Sequence, residues 1–254
     1  MHNFDDLVNI IAKLRAPGGC PWDAEQTHES IRKNLIEEAY EALEAIDSGE
    51  GEVMADELGD LLLQIVFHAQ IGKDNGEFDI NDVTTAVCEK MIRRHPHVFG
   101  NVKADTSDEV LKNWDEIKKQ EKKLTDVSGT LKSVSAYLPA LMRASKVQDK
   151  AAKVGFDFKD ATEALSKVRE ETDEVREALA TGRNIEEEVG DLLFAAVNVA
   201  RLAGVTSEQA LTRTTEKFIS RFEYVEQNAP APLTEMSLEE MDKLWEESKK
   251  REIK

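Results

Sequence analysis

Apolar residues recur every third or fourth position through most of this chain, the period of a helix with one buried face. Residues 29–47 place Ile31, Leu35, Ile36, Ala39, Leu43 and Ile46 on one side, and Ser48-Gly49-Glu50-Gly51 stops that run. Residues 53–72 follow with Leu58, Leu61, Leu62, Ile65, Val66 and Ala69. The same pair of patterns returns at 160–180 and 185–203, broken at Thr181-Gly182. A short break between two long helices makes them antiparallel neighbours. No strand-like alternation occurs, so the predicted class is all-α.

The interruptions of the apolar stripes are themselves patterned. Glu37-Glu38-Ala39-Tyr40-Glu41 is followed by Glu57-Leu58-Gly59-Asp60, and Glu170-Glu171-Thr172-Asp173-Glu174 by Glu188-Val189-Gly190-Asp191. The correspondence runs on through Glu89-Lys90-Met91-Ile92-Arg93-Arg94 and Glu216-Lys217-Phe218-Ile219-Ser220-Arg221, then through Trp114 to Lys119 and Trp245 to Lys250. From Glu38 to Lys118 is 80 residues and from Glu171 to Lys249 is 78. Landmarks kept in order at nearly constant spacing predict a duplicated domain. The expected organisation is 1–123, a linker over 124–139 with few periodic apolar residues, and 140–254. Units this small bury little surface alone, so four-helix-bundle cores completed by dimerisation, a homodimer, are expected.

Carboxylates three apart share a helix face, so two antiparallel helices can aim Glu38 and Glu41, with Glu57 and Asp60, into one cleft. Glu171, Glu174, Glu188 and Asp191 repeat the arrangement. A single E-x-x-E in an acidic chain is ordinarily a solvated face. The doubled version is different, because Asp60 and Asp191 sit inside apolar runs such as Leu58-Gly59-Asp60-Leu61-Leu62-Leu63, where a charge is costly. Clustered carboxylates repel unless a hard cation gathers them, and all-oxygen ligands favour Mg²⁺ or Mn²⁺. Gly59 and Gly190 weaken their helices by about 1 kcal/mol each relative to Ala, which suggests a close approach by a helix or a phosphate. Lys90 with Arg94 and Lys217 with Arg221 form one-turn basic pairs. Each alone is a surface pair; beside a metal cluster each becomes a phosphate clamp. Trp114 and Trp245 read either as packing residues or as a nucleobase or phosphate gate. Asn198, where the first half has Phe67, reads as a packing amide or a sugar or base contact.

Composition narrows the partners. The formal charge is −18, with 51 acidic and 33 basic side chains, which disfavours nucleic acid and anionic membranes. No run approaches a membrane span, the N-terminus lacks a signal-peptide pattern, and the two isolated cysteines, Cys20 and Cys88, read as reduced buried thiols of a cytoplasmic protein. Glu25-x-x-His28 is one E-x-x-H motif where a di-iron bundle needs two. His28, His68, His95 and His97 have no counterparts in the second half.

Gly19-Cys20-Pro21-Trp22-Asp23, Arg93 to Phe99, Leu138-Pro139-Ala140-Leu141 and Glu186 to Ala195 together resemble the signatures of the MazG family, two-domain members of the all-α NTP pyrophosphatase superfamily. The resemblance covers almost the whole chain. It implies Mg²⁺-dependent hydrolysis of NTP or dNTP to NMP and pyrophosphate, in nucleotide-pool house-cleaning. Glu171, Glu174, Glu188 and Asp191 would hold the metal. Lys217, Arg221, Lys249 and Trp245 would meet the triphosphate, and Glu170 or Glu187 would handle water. Glu38, Glu41, Glu57, Asp60, Lys90, Arg94, Trp114 and Lys118 are the first-half counterparts. The resemblance generally makes the C-terminal half the enzyme, but every charged landmark is present in both halves, which leaves the N-terminal half open as a second site. The alternative is a non-catalytic, Mg²⁺-dependent nucleotide-binding regulator.

Overall fold

A computed structural model describes residues 1–121 and 126–251. The chain divides into two units, Met1–Lys118 and Lys119–Lys254, and no strand occurs among the described residues. In the first, α1 (Phe4–Arg15), α2 (Pro21–Glu25), α3 (Arg32–Ser48), α4 (Gly51–Asn75), α5 (Ile80–Arg94) and α6 (Pro96–Phe99) precede α7 (Ser107–Glu121). The second comprises α8 (Val127–Lys132), α9 (Ala140–Ala152), α10 (Ala161–Thr181), α11 (Ile185–Leu202), α12 (Ser207–Asn228) and α13 (Leu238–Arg251), with a 3₁₀ turn at Leu233–Glu235.

Each unit is built on one helical hairpin, α3–α4 or α10–α11. The turns follow from local chemistry. Gly49 closes α3 and Gly182 closes α10, both in the left-handed conformation, which glycine adopts without a Cβ clash. Asn184 enters α11 at φ 55°, a region that Asn tolerates better than most side chains. Asp160 caps α10, its carboxylate accepting from the Glu163 amide at 2.9 Å.

Small residues seal each hairpin. Ala42 and Ala45 are buried on α3, Ala164 and Ala178 on α10, and Ala195 and Val197 on α11. Side chains of that size let helix axes approach closely. Behind α4 lies the core of the first unit, Ile11, Ile31, Val66, Phe67 and Ile71. Arg15 ties this core to the surface. Its guanidinium stacks over the Phe67 ring, pairs with Asp74 at 2.8 Å and donates to the Asp23 and Gln26 carbonyls.

Several expectations need correction. Half of the predicted stripe of the first hairpin is exposed within the chain: Ile36, Leu43, Ile46, Leu58, Leu62 and Ile65. The hairpin buries Ala42, Ala45, Val66, Ala69 and Ile71 and leaves these six aliphatic side chains outside. A Cβ added at Gly59 or Gly190 would meet nothing within 4 Å, so neither glycine serves a close approach inside this chain. Residues 124 and 125 of the expected linker lie outside the described residues. The rest is not irregular throughout, because Asp126 caps the helix Val127–Lys132. Cys88 is exposed rather than buried, and Cys20 is half-buried.

Asp160→Ala removes the cap of α10 and should cost about 1 kcal/mol in urea unfolding, whereas Asp160→Asn should cost much less. Equal losses would mean that the carboxylate has a role other than capping.

Candidate active site

The hairpins bring three carboxylates together in each unit. Ligand atoms of Glu38, Glu41 and Glu57, and separately of Glu171, Glu174 and Glu188, lie within 4.8 Å of one another. Asp60 and Asp191 fall outside these tight groups, though the Asp60 charge still acts on Glu38. Asp191, one turn beyond Glu188 on α11, lines the adjoining cavity. Both groups consist wholly of carboxylates. The histidines are engaged elsewhere: His28 Nδ1 lies 2.8 Å from His68 Nδ1, and His95 Nδ1 lies 2.7 Å from the Met91 carbonyl.

The clusters are neutralised differently. In the second unit Lys167, one turn before Glu171, reaches Glu171 at 2.6 Å and Glu170 at 2.7 Å. This hydrogen bond holds Glu171 below the ordinary carboxylate range although it is 4% exposed. Glu174 is pushed upward, chiefly by its contact with Glu171 and then by the Glu171 charge. In the first unit Asn34 stands one turn before Glu38, where the second has Lys167. Burial, then the Asp60 and Glu41 charges, raise Glu38; burial, then Glu41 and Asp60, raise Glu57.

A cation fits the second cluster. Glu171 Oε2 is buried with no hydrogen-bond donor, while Oε1 is taken by Lys167. Two facing carboxylate oxygens need a proton or a cation between them. Glu171, Glu174 and Glu188 supply the hard oxygen donors that Mg²⁺ or Mn²⁺ accepts.

Beside this cluster lies a cavity of about 730 Å³, lined by Lys167, Glu171 and Asp191 at the carboxylates and by Gln148, Phe156, Phe158, Phe194, Ala195, Asn198 and Arg201 elsewhere. The repeat explains why this space exists in the second unit. Ala195 and Asn198 occupy the register positions of Gln64 and Phe67, counted from Asp191 and Asp60. Gln64 and Phe67 are each 7% exposed. Gln64 donates to Glu38 at 3.4 Å, and Phe67 belongs to the core. Two larger, buried side chains thus stand in one unit where two smaller ones line a cavity in the other.

The basic and aromatic residues form a separate set on α12 and α13. Arg221 stacks on Trp245 at 5.7 Å, and Phe218 packs on the same indole at 5.0 Å. Lys249 pairs with Glu246, and Lys217 is exposed. The first unit repeats the motif: Arg94 and Lys118 each sit 5.8 Å from the Trp114 ring centre, and His95 meets its edge. Lys90 is half-buried on α5. Lys217, Arg221, Trp245 and Lys249 do not line the carboxylate cavity. Glu187 is exposed in the first turn of α11, while Glu170 is engaged by Lys167.

Sequence reasoning missed Lys167, Gln148 and Arg201. The Lys167 signal was present as a lysine at i−4 of Glu171. For Gln148 and Arg201, single polar residues in helical runs, no local signal exists; only the packing of α9 on α11 reveals them.

A divalent cation added to the protein should raise its melting temperature by mass action. Glu171→Gln/Glu174→Gln should abolish this rise, whatever the balance in the cation-free melting temperature between relieved repulsion and the lost Lys167–Glu171 pair. Persistence of the rise would place the cation elsewhere.

The description "MazG nucleotide pyrophosphohydrolase domain" matches the chain twice, over residues 26–99 and 152–226. Over 249 residues the chain is 45% identical to the nucleoside triphosphate pyrophosphohydrolase/pyrophosphatase MazG of Thermotoga maritima, spanning 97% of this chain and 95% of that protein. It is 44% identical over 261 residues to the nucleoside triphosphate pyrophosphohydrolase of Escherichia coli K12, spanning 100% and 99%. It is 50% identical over 257 residues to the uncharacterized protein YabN of Bacillus subtilis, spanning 99% of this chain and 52% of that protein.

Proposed function

The chain belongs to the MazG nucleotide pyrophosphohydrolase family, and from that premise we propose that it hydrolyses nucleoside triphosphates to monophosphate and pyrophosphate with Mg²⁺, in its C-terminal unit. The observation that carries the assignment to that unit is the cavity beside Glu171 and Asp191, set against the Gln64 and Phe67 filling of the other.

Water attacks the α-phosphorus, its oxygen forming the new bond while the bond to the bridging oxygen of the β-phosphate breaks, and pyrophosphate leaves. Glu171, Glu174 and Glu188, with Asp191 one turn on, would hold a divalent cation, which when bound would supply charge neutralisation and polarisation of the phosphoryl group. Lys167 keeps Glu171 ionised, and so ready as a ligand, through its 2.6 Å contact. Glu187, exposed in the first turn of α11, or Glu170, which is already engaged by Lys167, orients the attacking water. Lys217, Arg221 and Lys249 receive the pyrophosphate charge, with Trp245 fixing the Arg221 plane. The protein mainly contributes position and field.

The exposed aliphatic side chains Leu165, Leu179, Val189 and Leu193 on α10 and α11 support a homodimer in which two hairpins form a four-helix bundle. Among the described residues no single helix is long and apolar enough to cross a membrane. With a net charge of −18 and a nucleotide substrate, this favours a cytoplasmic role in clearing the nucleotide pool, without nucleic-acid or membrane partners. A non-catalytic, Mg²⁺-dependent regulator would keep the cluster and lack the phosphate-binding set; this chain retains Lys217, Arg221 and Lys249.

Product analysis with ATP, GTP and dUTP plus Mg²⁺ tests the reading. Wild type should give NMP and pyrophosphate, Glu171→Gln/Glu174→Gln should lose nearly all turnover, and Glu38→Gln/Glu41→Gln should keep most of it. NDP with phosphate, or no turnover, would defeat the activity; loss only in the first-half variant would move it to the other unit. Arg221→Ala should raise KM at least about tenfold, as expected for a lost charged hydrogen bond, with little change in melting temperature. A large drop in melting temperature would make Arg221 structural.

A further inference from the structure

The cavity beside the C-terminal carboxylates has an end that chemistry at phosphorus does not use. Along α11 its wall runs from Asp191 to Asn198, two helical turns or about 10 Å. With a phosphate at the carboxylates, that length leaves room for a sugar and a base, and Phe156, Phe158 and Phe194 supply apolar ring surface there.

Gln148 of α9 enters this end and is 6% exposed. Its Nε2 donates to the Phe194 backbone carbonyl at 2.8 Å, and this contact fixes which way the amide points. Its Oε1 is buried and receives no hydrogen bond from the protein. Asn198 is oriented by the same logic. Its Oδ1 accepts from Arg201 Nε at 2.9 Å and Nη2 at 2.7 Å, leaving its amide N–H groups as the remaining donors. Arg201 cannot swing away easily, because Asp157 and Asp149 both pair with its guanidinium. The wall therefore holds one fixed acceptor and one fixed donor. A buried acceptor without a donor is costly until a ligand supplies one.

We infer that Gln148 reads the nucleobase: its Oε1 accepts a hydrogen bond from a base-edge N–H, while Asn198 donates to an acceptor on the same edge. The exocyclic amino groups of adenine and cytosine, each beside a ring nitrogen acceptor, suit this pairing. The inference rests on the triphosphate reading of the site and adds the feature of the base that is recognised. Gln148 takes no part in the reaction at phosphorus, so its effect is on discrimination between bases.

The test compares kcat/KM for ATP with purine riboside triphosphate, and for CTP with 2-pyrimidinone riboside triphosphate; each analogue lacks only the amino group. In wild type the amino group should be worth roughly tenfold or more in at least one pair. Gln148→Met, similar in volume but without the acceptor, should bring that ratio to within about twofold of one while keeping the cation-dependent rise in melting temperature. Ratios near one in both pairs for wild type, or a ratio that survives in Gln148→Met, would overturn the assignment. The wild-type ratios alone can overturn it, should the variant not fold. Turnover with equal rates for paired substrates defeats the role of Gln148 only; absence of monophosphate and pyrophosphate from every triphosphate defeats the underlying functional reading as well.

Discussion

Repulsion among three carboxylates held within 4.8 Å of one another is the constraint on which the site depends. It arises because each hairpin aims Glu residues from both of its helices at one point, and it must be offset before either unit can use that point. In the C-terminal unit Lys167 offsets part of it by pairing with Glu171 and Glu170, and a hard cation is the natural source of the rest. In the N-terminal unit Asn34 stands in the lysine position, and Glu38 and Glu57 are driven toward their protonated forms instead. The two copies thus differ by one charge beside the cluster: Lys167 pairs with Glu171 and Glu170, whereas Asn34 holds that position in the first unit.

Packing accentuates the divergence. Part of the hairpin seam is equivalent in both units, buried Ala45 matching Ala178 and buried Val66 matching Val197 in the repeat. The wall of the cavity is where they part. Gln64 and Phe67 close the space in one unit; Ala195 and Asn198 open it in the other. Opening a cavity in a small unit sacrifices dispersion contacts and buried apolar area, and the C-terminal unit offsets this with the Arg201 network of Asn198, Asp157 and Asp149. Arg15 over Phe67 performs the comparable structural task in the first unit, where the space is filled.

The division of labour within the C-terminal unit follows. Carboxylates stand at one end of the cavity and amides at the other, and the basic residues on α12 and α13 are organised around Trp245 apart from both. The duplicated Arg–Trp stacking, 5.8 Å and 5.7 Å, shows that this set was copied with the carboxylates and retained in each half.

Helical periodicity determined the all-α class and the two hairpins, because a period of 3.6 residues is a local property of the chain. The carboxylate set, the basic pairs and the duplication were legible for the same reason: they are fixed spacings on one helix or a repeated order along the sequence. Which part of the apolar stripe is buried within one chain was not legible. Ile36, Leu43 and Leu62 are outside because the hairpin seals on Ala42, Ala45 and the far side of α4, a choice that depends on how closely two helices approach. The separation of Asp60 and Asp191 from the tight clusters, the filling of one cavity and not the other, and the partners of Gln148, Asn198 and Arg201 were decided only by tertiary structure. Each depends on residues from different helices meeting in space, which no spacing along the chain specifies.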